Sequence, residues 1–270
     1  MPLRENKLKK LLREGRVVYG SNVRESRDSG VVFAMARSGA DFVFIDLEHT
    51  AMSFETAAEL VAHAHAADTT PIIRIPDLDY ASVTRLLDAG CQSLFIPHLK
   101  TPEDVQRLLD LSLFYPKGHR GMGVYGGVNV DYASNVDVEA ATASMNDNLI
   151  LGLNIETKEA IESLEDMLVP GIDFALVGLF DLSQSYGILG RQFDHPLIAE
   201  AKEKVRSLCA ERGIAYAVYL TSVSQFETEV AQGAQMLMYG STLDFVKKGV
   251  TEAVTTLRAL TEREESLPAV

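Results

Sequence analysis

The feature that most restricts this chain is an alternation. Short β-rich runs, each followed by a stretch with helical periodicity, recur eight times within 270 residues. The runs fall at 17–20, 42–46, 71–75, 93–97, 149–156, 173–178, 214–220 and 235–240. Several are continuously apolar, such as Phe42-Val43-Phe44-Ile45 and Leu94-Phe95-Ile96, the pattern of strands covered on both faces of a parallel sheet. Thr101-Pro102-Glu103-Asp104 starts a helix: a Thr cap, Pro at the first helical position, then acids near the positive end of the dipole. Val105, Leu108 and Leu109 follow at core-facing spacing. The last helix carries Val246, Val250, Ala253, Leu257 and Leu260 on one stripe. Eight such units in α/β alternation predict a (β/α)₈ TIM barrel, with an open doubly wound sheet as the alternative.

At this length the whole of 1–270 is expected to form one barrel domain rather than two. Residues 1–16, with Leu8, Leu11 and Leu12 among basic residues, read as a short N-terminal helix that closes the bottom of the barrel. A transit peptide is the competing reading, and Glu5 and Glu14 oppose it. Residues 114–148, with Gly118, Gly121, Gly123, Gly126 and Gly127, read as one long glycine-rich loop. The formal charge of −13 argues against nucleic acid and against an anionic membrane surface, since both reward Lys and Arg clusters. No apolar run approaches the ~18 residues of a spanning helix, and the N-terminus lacks the apolar core of a signal peptide. Cys91 and Cys209 are too few for a disulfide framework, so a cytoplasmic location is expected.

In a barrel of this kind, chemistry sits at the C-terminal ends of the strands. The second run ends in Asp46-Leu47-Glu48-His49, the third in Arg74, the fourth in Pro97-His98 and the fifth in Asn154-Ile155-Glu156. The turn after the sixth is Gly178-Leu179-Phe180-Asp181. Converging carboxylates repel, and a divalent cation relieves that repulsion. Glu156 and Asp181, on adjacent strands, are the natural pair of hard oxygen ligands for Mg²⁺, with Mn²⁺ or Co²⁺ also suited. Arg74 could hold a substrate carboxylate or a developing enolate oxygen. His49 is the obvious proton carrier, and Asp88, before Gly90, is a candidate to orient it. Taken singly, these residues have blander readings. Asp46 and Glu48 could be helix caps, Arg74 could serve a neighbouring acid, and His63, His65, His119 and His195 fit packing or surface roles. His98 is well placed but has no obvious partner.

Five separated strings carry a family resemblance: Phe44-Ile45-Asp46-Leu47-Glu48-His49, Pro71 through Pro76, Leu87-Asp88-Ala89-Gly90, Gly118-His119-Arg120-Gly121, and Gly171-Ile172-Asp173 through Asp181-Leu182-Ser183. In order and spacing, over about 17–250, they resemble the class II pyruvate aldolases of the HpcH/HpaI aldolase/citrate lyase family. That family includes 2,4-dihydroxyhept-2-enedioate aldolase and 2-keto-3-deoxy-sugar-acid aldolases. The resemblance implies a (β/α)₈ barrel, commonly a homohexamer built as a trimer of dimers, whose last helix is exchanged between paired subunits. It implies reversible retro-aldol cleavage of a 4-hydroxy-2-oxoacid to pyruvate, or hydroxypyruvate, and an aldehyde through a metal-bound enolate. The acids matching Glu156 and Asp181 would hold the metal, and the arginine matching Arg74 would stabilise the enolate. The histidine matching His49, supported by the aspartate matching Asp88, would move the proton. Backbone amides of the turn matching Gly178, Leu179, Phe180 and Asp181 would grip the pyruvate carboxylate. Asp46, Glu48 and Asn154 would be supporting residues. No lysine lies inside a predicted strand, as expected where no Schiff base is used.

The departures concern the substrate. The family's usual Pro after strand six is Leu179, the next residue is the bulky Phe180, and a Gln common two residues before the metal Glu is Asn154. An aromatic often found near the end of strand one is replaced by Ser21, Asn22 and Val23. Two alternatives to an aldolase accompany this reading. One is a synthase or decarboxylase of the same family acting on oxaloacetate or a related keto acid, and the other is a non-catalytic barrel used as a scaffold.

Overall fold

Eight parallel strands, each paired with its sequence neighbour and the eighth with the first, close into a barrel in a computed structural model that describes residues 5–124 and 127–265. The strands are β1 (Val18–Val23), β2 (Phe42–Asp46), β3 (Thr70–Arg74), β4 (Ser93–Ile96), β5 (Ile150–Ile155), β6 (Phe174–Val177), β7 (Ala215–Leu220) and β8 (Met236–Ser241). Helices lie between successive strands, so the chain is a (β/α)₈ TIM barrel rather than an open sheet. Residues 1–4 of the expected N-terminal helix and Gly126 of the expected loop lie outside the described residues.

Strand alternation divides the apolar side chains into two sets. One set, including Phe42, Phe44, Ile72, Phe95 and Phe174, fills the barrel, while the other faces the helices. Filling the interior depends on large–small complementarity. A Cβ on Gly20 would stand 2.3 Å from the Phe42 ring, and one on Gly152 would stand 2.1 Å from the Phe174 ring. Phe95 stacks on Phe174 at 5.5 Å and meets Phe44 edge-on, also at 5.5 Å. These rings form an apolar floor beneath the mouth.

The N-terminal helix, Lys7–Arg13, plugs the barrel from below, with Leu8 fully buried in the interior cluster and Leu11 and Leu12 packed on it. Burying one such leucine contributes roughly 1.5–3 kcal/mol. Asn6 fixes the plug: its side chain caps the helix and donates to the carbonyls of Gln92 and Asn148, each at 3.0 Å.

Three elements differ from expectation. β1 runs on to Val23, past the expected end at residue 20, because polar Ser21 and Asn22 remain in the ladder. Its register against β8 shifts between Gly20 and Asn22, a bulge of the kind that re-aims side chains. The segment 114–148 is not all loop, since Val138–Asn148 is a helix capped by Asp137. It buries only Ala141 and Asn146, too little apolar surface to leave a stripe in the sequence. Asn146 instead exchanges two hydrogen bonds with the Phe114 backbone, at 2.7 and 3.0 Å, and closes the segment on its own start. Finally, the last helix, Thr242–Glu265, does form, but its apolar stripe is not turned onto the barrel. Val246, Val250, Leu257 and Leu260 are all exposed.

Candidate active site

The β2–β3 pair builds the base of the site. Register places Asp46 beside Arg74. Asp46 Oδ1 accepts from Arg74 Nε at 2.9 Å and Oδ2 from Nη2 at 2.5 Å, a bidentate fork. Burial alone would push the Asp46 carboxyl up, but the bond and charge of Arg74, with backbone N–H bonds from His49 and Glu48, hold it below its ordinary value. Those same two backbone bonds, at 3.3 and 3.0 Å, turn the chain after β2 and set His49 at the rim. The third Arg74 nitrogen, Nη1, stands 2.9 Å from Glu48 Oε2.

Glu48 leads across the mouth to His98 and Glu156. His98 Nε2 is 2.6 Å from Glu48 Oε1, and its Nδ1 is 3.3 Å from Glu156 Oε1. His98 sits in the left-handed region at φ 59°, which aims its backbone N–H at Glu156 Oε1, 2.7 Å away. Asn154 Nδ2 donates to the other Glu156 oxygen, Oε2. Gly178 allows this approach, because a Cβ there would stand 2.7 Å from Glu156 Cβ. Burial pushes the Glu156 carboxyl up to about 7, and the charges of Glu48 and Asp181 add to it against the bond and charge of His98. Asp181 lies in the first turn of the helix Leu179–Ser185, close enough for its charge to act on Glu156.

The expected residues therefore meet in one place with two exceptions, one of position and one of partner. Asp46, Glu48, His49, Arg74, Asn154, Glu156 and Asp181 gather at the strand C-termini, with the 178–181 turn beside them. All of these except Glu48 line a cavity of about 830 Å³, and Glu48 closes its edge through Arg74 and His98. Asp88 does not join them. It ends the helix Tyr80–Asp88, and its carboxylate accepts from Arg120 Nη2 at 2.8 Å instead of meeting His49. The second difference is His98, which has two carboxylate partners where the sequence suggested none. Its position directly after the Pro97 that ends the fourth run was the available signal; its left-handed backbone was not readable. Phe180 does not fill the floor, because its exposed ring packs edge-on against Phe193, with 5.9 Å between centroids.

Glu48, His98 and Glu156 each offer a ligand atom within 4.8 Å of the others. Neither Glu48 oxygen accepts a well-directed hydrogen bond, although Oε2 stands beside the Arg74 guanidinium and Oε1 beside the His98 ring. Buried, under-satisfied hard oxygens facing one another are the donor set a small divalent cation needs.

A parallel barrel with buried acids and a forked arginine at its C-terminal mouth defines a class, the (β/α)₈ enzymes. Comparison with known proteins gives the family. The model of the HpcH/HpaI aldolase/citrate lyase family matches residues 26–248. A hydroxypyruvate/pyruvate aldolase of Roseobacter denitrificans is 28% identical over 240 residues, covering 88% of this chain and 91% of that protein. A 4-hydroxy-4-methyl-2-oxoglutarate aldolase of Chaetomium globosum is 31% identical over 206 residues, covering 74% of each. The crystal structure of an HpcH/HpaI aldolase from Desulfitobacterium hafniense superposes with a TM-score of 0.86 at 29% identity, covering 97% of this chain and 98% of that one. The chain belongs to the HpcH/HpaI aldolase/citrate lyase family, which places it among the carbon–carbon lyases.

Proposed function

We propose that this protein is a divalent-metal-dependent aldolase that reversibly cleaves a 4-hydroxy-2-oxoacid to pyruvate, or hydroxypyruvate, and an aldehyde. The observation that carries this reading is the cluster of Glu48, His98 and Glu156 beside Arg74, with the charge of Asp181 acting on Glu156. We assign Glu156 and Asp181 as metal donors, with Glu48 and His98 lining the same spot and Mg²⁺, Mn²⁺ or Co²⁺ as the cation. Bound there, such a cation supplies Lewis-acid polarisation of the keto acid. No lysine lies on any of the eight strands, and Lys202, which lines the cavity from a helix, is held by Glu229 at 2.9 Å.

The chain's own groups account for the rest. The substrate C4 hydroxyl loses its proton to His49 as the C3–C4 bond breaks. The bond's electron pair moves into the C2–C3 enolate, and the C4 fragment leaves as the aldehyde. Arg74, pinned by Asp46, keeps its orientation while charge develops on the enolate oxygen. Backbone N–H groups of Leu179, Phe180 and Asp181 precede the first intrahelical bond, and to them we assign the keto-acid carboxylate. Protonation of C3 then gives the keto acid. Cleavage of 4-hydroxy-2-oxoacids before and after complete chelation tests the reading: activity should vanish with the metal and return with it, and survival without metal would contradict it.

We also propose a homo-oligomer, a hexamer assembled as a trimer of dimers, in which the last helix is exchanged. The exposed stripe of Val246, Val250, Leu257 and Leu260 supports this, since a row of that kind is ordinarily covered. Cytoplasmic residence is part of the same proposal and is supported by two buried free cysteines. No helix among the described residues is long and apolar enough to cross a membrane.

A further inference from the structure

The mouth of the cavity has a second polar corner, away from the carboxylates. It is made by the ends of β1, β7 and β8. After the bulge, Val23 packs in the layer beneath the helices, while Asn22 and Arg24 both line the cavity, Arg24 as an exposed residue just past the end of β1. Asn22 is 92% buried, being 8% exposed, yet its Oδ1 has no hydrogen-bond partner. Four lysines and arginines line the cavity among the described residues. Arg74 is held by Asp46 and Glu48, Lys202 by Glu229 at 2.9 Å and Arg206 by Glu203 at 2.6 Å. Of these four, Arg24 alone has no carboxylate within ion-pair distance among the described residues. Asp244, in the same corner, is engaged by the Ser241 hydroxyl at 2.7 Å.

The position of Arg24 is nevertheless fixed. The Thr242 hydroxyl accepts from the Arg24 N–H at 3.1 Å and donates to the Arg24 carbonyl at 2.7 Å. One buried hydroxyl thus clamps both backbone groups of the residue. An arginine needed only for solubility gains nothing from a clamped main chain. An arginine that must present its fork to a ligand does, because less freedom is lost on binding.

We infer that Arg24 docks an anionic group, carboxylate or phosphate, on the carbonyl fragment that is released in cleavage and added in synthesis. The second substrate is then an acid-bearing aldehyde or ketone rather than a neutral one. Arg74 and the metal serve the keto-acid end at β3–β6, while Arg24 serves the far end of the second fragment at β1. The unpartnered Asn22 Oδ1 offers an acceptor to a hydroxyl, or to a bound water, between the two ends. This inference rests on the aldolase reading above and deepens it.

The test uses the full-length, metal-loaded enzyme and the variants Arg24→Gln and Arg24→Lys. Condensation with pyruvate is measured for glyoxylate, 4-oxobutanoate, glycolaldehyde phosphate and neutral glycolaldehyde. Exchange of pyruvate methyl protons in D₂O, which needs no second substrate, is followed in parallel by NMR. Loss of exchange in the wild type would defeat the aldolase reading itself and is separable from the outcomes for Arg24. Arg24→Gln should raise KM about tenfold or more for at least one anionic acceptor, the size of a lost charge-assisted bond. It should leave glycolaldehyde turnover and proton exchange within about twofold, and Arg24→Lys should recover part of the loss. A defect confined to glyoxylate and 4-oxobutanoate would support a carboxylate, and one confined to the phosphate ester would support a phosphate. Equal losses for neutral and anionic acceptors, or no loss for any anion, would overturn the inference.

Discussion

The two halves of the barrel mouth are built differently. From β2 to β5 the polar side chains are tied in a series: Asp46 to Arg74, Arg74 to Glu48, Glu48 to His98, His98 to Glu156 and Asn154 to Glu156. From β7 through β8 to β1 the backbone is clamped, but two groups that face the cavity, the Arg24 fork and Asn22 Oδ1, are unengaged. Among the described residues Arg24 has no ion-pair partner and Asn22 Oδ1 has no donor, and the helix that follows β8 exposes its apolar stripe. The tied half holds charges in fixed positions, as bond-breaking chemistry requires. The unengaged half is where a second substrate and a second subunit can still add contacts. On the proposed function, chemistry and selectivity fall on opposite arcs of one ring.

Substitutions can break this division, and the largest effect belongs in the tied half. Glu156→Gln removes a charged donor while keeping the shape, and turnover should fall about a thousandfold or more, with metal binding lost in calorimetry. A fall of less than about tenfold would move the metal donors elsewhere. Asp46→Asn comes next. It leaves Arg74 largely buried with only Glu48 beside it, and should cost about 3 kcal/mol in urea unfolding, the low end for breaking a buried pair. The pH dependence of this effect has a definite sign. The folded Asp46 carboxyl titrates below its unfolded value, so its stabilisation is present above the unfolded value near 3.8 and is lost as pH falls through the lowered folded one. The stability gap between wild type and Asp46→Asn should close across that acid window and be constant above it.

In the unengaged half the effects should be smaller and of another kind. Val250→Asp with Leu257→Asp should leave the monomer's helical content nearly unchanged but lower the assembly state seen by light scattering, because both residues are exposed in the single chain. A monomer that unfolds instead would mean that the stripe packs within its own chain. Arg24→Gln should be the mildest, altering only which acceptor is used.

The same division marks what could be read without coordinates. The strands of the tied half are continuous apolar runs that end in ionisable residues, so Asp46, Glu48, Arg74 and Glu156 were legible from position alone. β1 was only half legible, since Ser21 and Asn22 look like a turn, and a bulge leaves no periodic trace. The partner of Asp88 within its own chain was not legible, because proximity to Gly90 says nothing of Arg120, which reaches it across 32 residues. His98 was passed over because its partners come from β2 and β5, and no local pattern records contacts between non-adjacent strands. The stripe of the last helix was read correctly as apolar. What covers it is not written in the chain's own packing.

The central claim is that the tied half generates an enolate only when a divalent cation joins its carboxylates. Exchange of pyruvate methyl protons in D₂O, followed by NMR on the full-length protein, measures that step directly. Exchange should proceed with Mg²⁺, Mn²⁺ or Co²⁺, stop on chelation and resume when the ion is restored. Exchange that continues at full rate in rigorously metal-free protein would contradict the account.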